Sequence, residues 1–128
     1  MTKRIMSFVL LVLFAFIFAA CANAENGAVT AVERYYLTIV QQNQNDLSNV
    51  VCPSFEEQAR TELDSFQGVK IELTDFGCSA SEQKEKEASV TCKGKIVASY
   101  GNEKMDFPLE ERVHTVTNES GDWLVCGY

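Results

Sequence analysis

Apolar positions keep one period up to residue 66 of this chain and another from residue 69 onward. Val29, Val32, Tyr36, Ile39 and Val40 recur at three- and four-residue intervals, which places them on one face of a helix starting at Ala28. Thr30 and Glu33 have capping-box spacing, and Asn26 is an alternative cap. The polar run 41–45 ends this helix. Asp46 then caps a short second helix that carries Leu47, Val50 and Val51 inward. Cys52-Pro53 interrupts the chain, because a residue before proline avoids helical geometry. A third helix begins at Ser54, with Glu57 in the capping-box position. Phe55, Ala59, Leu63 and Phe66 form its apolar stripe, and Gly68 sits where a helix stop belongs.

From Val69 the period is two. Val69, Ile71 and Leu73 alternate with Lys70, Glu72 and Thr74, and 81–87 reads as a solvated turn. Ala88, Val90, Cys92, Gly94, Ile96, Ala98 and Tyr100 make a second alternating strand, closed by the Gly101-Asn102 turn. Met105, Phe107 and Leu109 open a third strand, continued through Val113 toward Val116. Pro108 removes one ladder donor there, so a bulge or bend is expected. Residues 118–122 form the last turn and 123–126 the last strand. The expected fold is therefore α+β: helices packed on one face of a curved four-stranded antiparallel meander, stapled by two disulfides.

Composition adds a compartment. Lys3 and Arg4 precede the apolar run 9–20, which is short for a membrane span and has the form of a secretory signal. Two cleavage sites compete. Ala22-Asn23-Ala24 would leave Glu25 first, whereas Phe18-Ala19-Ala20-Cys21 is lipobox-like and would place a lipid on Cys21. Phe18 stands where such boxes usually carry Leu; the lipidated form is preferred. The chain then divides into a signal peptide at 1–20 (1–24 with the other site), a small polar tether at 21–27 and one domain at 28–128.

Removing the signal leaves nine basic and eighteen acidic residues, a net −9, which disfavours nucleic acid as a partner. The cysteines beyond Cys21 are Cys52, Cys78, Cys92 and Cys126, an even set suited to an oxidising compartment. Cys78 and Cys92 flank one hairpin and are expected to pair, provided a bulge near Gly77 corrects the phase. Cys52 then pairs with Cys126. With no Cys-x-x-Cys and a single histidine, neither zinc nor any cofactor is expected.

Candidate pocket residues are Tyr36, Tyr100, His114 and Trp123. His114 has the chemistry of a general base or pH switch but is expected at the rim of the sheet. It turns inward only if the third strand changes register at Pro108. Trp123 is expected in the core. Asp75 and Asp106 lie in or beside strands, where either has a route inward.

The order of three helices and a meander resembles the nuclear transport factor 2-like superfamily. The residues that carry the resemblance are Val32-Glu33-Arg34-Tyr35-Tyr36-Leu37, Asn45-Asp46-Leu47-Ser48 and Gly121-Asp122-Trp123-Leu124-Val125. The chain looks most like small bacterial lipoproteins and secreted proteins of that superfamily. The resemblance implies a sheet wrapped as a cone around the first helix, and in the superfamily's enzymes acid–base residues inside the cone. No such set transfers to this sequence, so no catalytic residue is carried over. Three functions follow as expectations: an exported, lipid-anchored, non-enzymatic binding or accessory domain for an unidentified protein or small molecule; an isomerase or dehydratase with its site in the cone; and an acidic inhibitor of a cationic hydrolase.

Overall fold

A computed structural model describes residues 19–128, with side-chain surroundings from Gly27 onward. The expected signal sequence up to residue 18, and the side chain of Cys21, lie outside the described residues. The first described helix, α1, runs Ala19–Val40 and so already includes residues ahead of the expected start at Ala28. It is followed by α2 (Gln44–Leu47) and α3 (Glu56–Ser65). Five strands complete the chain: β1 (Lys70–Gln83), β2 (Glu87–Tyr100), β3 (Glu103–Pro108), β4 (Val113–Glu119) and β5 (Asp122–Gly127). The domain is α+β with one five-stranded antiparallel sheet.

The fifth strand corrects the expected count of four, and Pro108 gives the physical reason. The chain breaks after β3, and residues 109–112 cross to a new register. The Leu109 amide donates to the Gly94 carbonyl at 3.0 Å, and the Arg112 amide donates back to Leu109 at 3.1 Å. β3 therefore pairs with residues 95–100 of β2, and β4 pairs with residues 87–91 of the same edge. β1 covers the other edge along nearly the whole length of β2. The fork sits at Gly94, whose φ of +92° is accessible to glycine and strained for other residues.

The helical stripes are buried as their spacing requires. Val32, Tyr36 and Ile39 of α1 face the sheet, and Phe55, Ala59, Leu63 and Phe66 join them from the α3 segment. The helix caps differ from expectation. Phe55 rather than Ser54 precedes α3, with no side-chain cap, and Asn43 rather than Asp46 precedes α2. Cys52 is joined to Cys126, with Cα atoms 4.8 Å apart, and Cys78 to Cys92, with Cα atoms 4.0 Å apart. The register of β1 shifts between Thr74 and Gly77, which brings Cys78 opposite Cys92. A parallel bridge between Val51 and Val125 lies beside the Cys52–Cys126 link.

Candidate functional site

A hydrogen-bonded pair of fully buried titratable side chains joins α1 to β4. The Tyr36 hydroxyl lies 2.8 Å from His114 Nε2, and both residues are 0% exposed. On the other side of the ring, His114 Nδ1 lies 3.2 Å from the Val90 carbonyl, its partner in the β2–β4 ladder. A carbonyl only accepts, so Nδ1 carries the proton and Nε2 accepts from Tyr36. Burial pushes the imidazole down to about 4, against the pull of the Val90 carbonyl, so it is neutral at pH 7. Burial likewise raises the Tyr36 hydroxyl well above the ordinary tyrosine range.

This placement overturns the expected rim position of His114. The register change after Pro108 puts Val113 outward, 52% exposed, and His114 and Val116 inward. Tyr36 and His114 are thus brought together. Tyr100 is not: it is 40% exposed and pairs with Glu103 at the end of β2. His114 pairs with Val90, so Tyr100 lies ten positions along β2, roughly 30 Å away. Trp123 belongs to neither group. It packs on α1, where a Cβ added to Gly27 would meet its Cδ1 at 2.6 Å. Asp75 and Asp106 are both exposed, and Asp106 is paired with Lys95.

Glu62, Arg112 and Tyr128 extend the pair into a network, and none of the three stood out in the sequence reading. Glu62 Oε2 accepts from the Tyr35 hydroxyl at 2.5 Å and from the Tyr128 hydroxyl at 2.8 Å. Its Oε1 accepts from Arg112 Nη1 at 2.6 Å. The Arg112 guanidinium also lies over the Tyr128 ring, 4.5 Å from the centroid. Burial works against the Arg112 charge, but the Glu62 carboxylate outweighs it and raises its pKa further. Burial, reinforced by the Glu62 charge, pushes Tyr128 up to about 12 and Tyr35 far above its ordinary range. The spacing of α3 held a signal for Glu62. It falls three positions after Ala59 and four before Phe66, a carboxylate on an otherwise apolar stripe.

Chemically, the arrangement is closed at neutral pH. The one imidazole nitrogen able to act as a base is occupied by Tyr36, and no buried side-chain polar atom among the described residues lacks a partner. A reacting molecule would first have to displace a hydroxyl. Shallow grooves of about 520 and 460 Å³ lie elsewhere, along the β1–β2 bulge near Lys93 and Glu110. Among the described residues, no cluster of three or more His, Cys, Asp or Glu could hold a metal ion, and no helix is long and apolar enough to cross a membrane. No protein-family model matches this sequence, and a search of curated proteins finds no match.

Proposed function

We propose that this chain is an exported, non-enzymatic binding or accessory domain, anchored to a bacterial cell envelope by a lipid on Cys21. The observation that carries the non-enzymatic part is the mutual satisfaction of Tyr36 and His114, which leaves neither group free for acid–base work. The two disulfides agree with an oxidising, extracytoplasmic setting. The packing of α1 against four strands, together with the fork at Gly94, supports the nuclear transport factor 2-like cone. The test is the intact mass of the mature protein, with and without reduction. A mass starting at acylated Cys21 and gaining four hydrogens on reduction agrees with the reading. A start at Glu25 makes the protein freely secreted, and retention of residues 1–20 overturns export.

A second reading, an isomerase- or dehydratase-type enzyme, is favoured by one observation. His114 and the Glu62 carboxylate both border Tyr128, the half-exposed side chain above them. Under this reading His114→Gln abolishes turnover of a carbonyl substrate while binding persists.

A further inference from the structure

Tyr128 fills a site that holds what recognition of a phenol requires. Its hydroxyl donates to Glu62, its face meets the Arg112 guanidinium, and the rings of Phe55 and His114 flank it with centroids 5.5 Å away. Tyr35, Tyr36 and His114, all 0% exposed, lie beneath these groups, yet Tyr128 itself is 39% exposed. Glu62 and Arg112 hold each other, and Tyr35 holds Glu62, independently of Tyr128. The acceptor and the cation therefore stay in place when Tyr128 leaves, which is the condition for a preorganised site. The backbone permits that departure. The β4–β5 ladder ends at the Thr115–Gly127 pair, and Tyr128 lies beyond it.

We infer that Tyr128 is a replaceable stopper in a binding site for small hydroxyaromatic ligands. An incoming phenol takes its place, donating to Glu62 and lying against Arg112. The chain's own side chain competes with the ligand, so the closed form lowers apparent affinity by the fraction of time the site is open. This inference rests on reading the chain as a binding domain, and it names the ligand class.

The probe is p-cresol, the analogue of a tyrosine side chain, with toluene as the control that lacks the hydroxyl. In the mature exported protein, p-cresol should shift the NMR signals of His114 and the Tyr128 ring together and saturably. Tyr128→Ala should bind p-cresol about tenfold more tightly than the native protein does. It should also prefer p-cresol to toluene about tenfold, the discrimination that one hydrogen bond to a charged group supplies. Equal binding of the two probes, or no shift in the native protein up to the solubility limit of p-cresol, overturns the site. If Tyr128→Ala proves unfolded by circular dichroism, the native titration and Tyr128→Leu decide. A protein acylated at Cys21 that fails these titrations loses the phenol site and keeps the anchored binding role. One that is not acylated but binds p-cresol keeps the site.

Discussion

Tyr36 and His114, 78 positions apart in the chain, satisfy each other's buried polar atoms through one 2.8 Å hydrogen bond. Removing only the hydroxyl, as in Tyr36→Phe, leaves Nε2 buried without a donor. A loss of about 1–3 kcal/mol of stability is expected, because an orphaned buried acceptor keeps its desolvation cost. The double variant Tyr36→Phe/His114→Leu should lose less than the sum of its two single changes. Urea denaturation of the four proteins measures the coupling, and strict additivity would show that the contact contributes nothing specific.

Acid should weaken the fold through the same histidine. Its pKa is about 4 in the folded chain and 6.5 without burial, so the unfolded state takes up a proton first as the pH falls. The contribution is complete above about pH 6.5, declines between 6.5 and 4, and reaches a loss of roughly 3 kcal/mol. His114→Gln should flatten that part of the curve and leave the carboxylate part unchanged. Urea midpoints at pH 7 and 4.5 for both proteins decide it; the same drop in each would rule His114 out as the cause.

Glu62 should matter more than any one of its partners. Glu62→Ala strands the Arg112 guanidinium and two tyrosine hydroxyls, and about 2–3 kcal/mol of stability should go, with Arg112's partial exposure already moderating the figure. Tyr128→Phe removes one half-exposed bond and should cost under about 1 kcal/mol. Chemical denaturation of the two variants should separate them clearly.

Two glycines with positive φ should respond differently to alanine. At Gly94 the new methyl would lie 2.5 Å from the Thr74 carbonyl oxygen, whereas at Gly68 it meets nothing within 4 Å. Gly94→Ala is expected to cost about 2 kcal/mol or more, and Gly68→Ala about 1, the backbone term alone. Thermal melts that rank them in the opposite order would remove the fork at Gly94 as a site of close approach.

The alternation of β1 and β2 and the apolar stripes of α1 and α3 were legible in the sequence, because burial on one face imposes a period. The division of the third strand was only hinted at. Inward positions pass from odd numbers (Phe107, Leu109) to even ones (His114, Val116), and Pro108 marks where the phase can change. Reading Val113 as inward, because it is apolar, sent His114 to the surface. The tyrosines, Glu62 and Arg112 meet only through tertiary packing. No local pattern announces a contact such as Tyr128 with Glu62, 66 positions away.

The two cross-links close loops of unequal length, with sequence separations of 74 for Cys52–Cys126 and 14 for Cys78–Cys92. Chain entropy gives about 4 kcal/mol for the longer and about 3 for the shorter. Serine pairs at each should show that ranking in denaturant midpoints.

The link between Cys52 and Cys126 also governs how the molecule would come apart. It encloses the turns of all three hairpins and all of α3, so one backbone cut anywhere between those cysteines yields two fragments that remain a single covalent object. The exposed turn at residues 84–86 is spanned twice, since Cys78 and Cys92 bracket it as well. A protease that nicks this turn would therefore leave the strands paired and the mass raised only by one water, and the two fragments would come apart only after reduction.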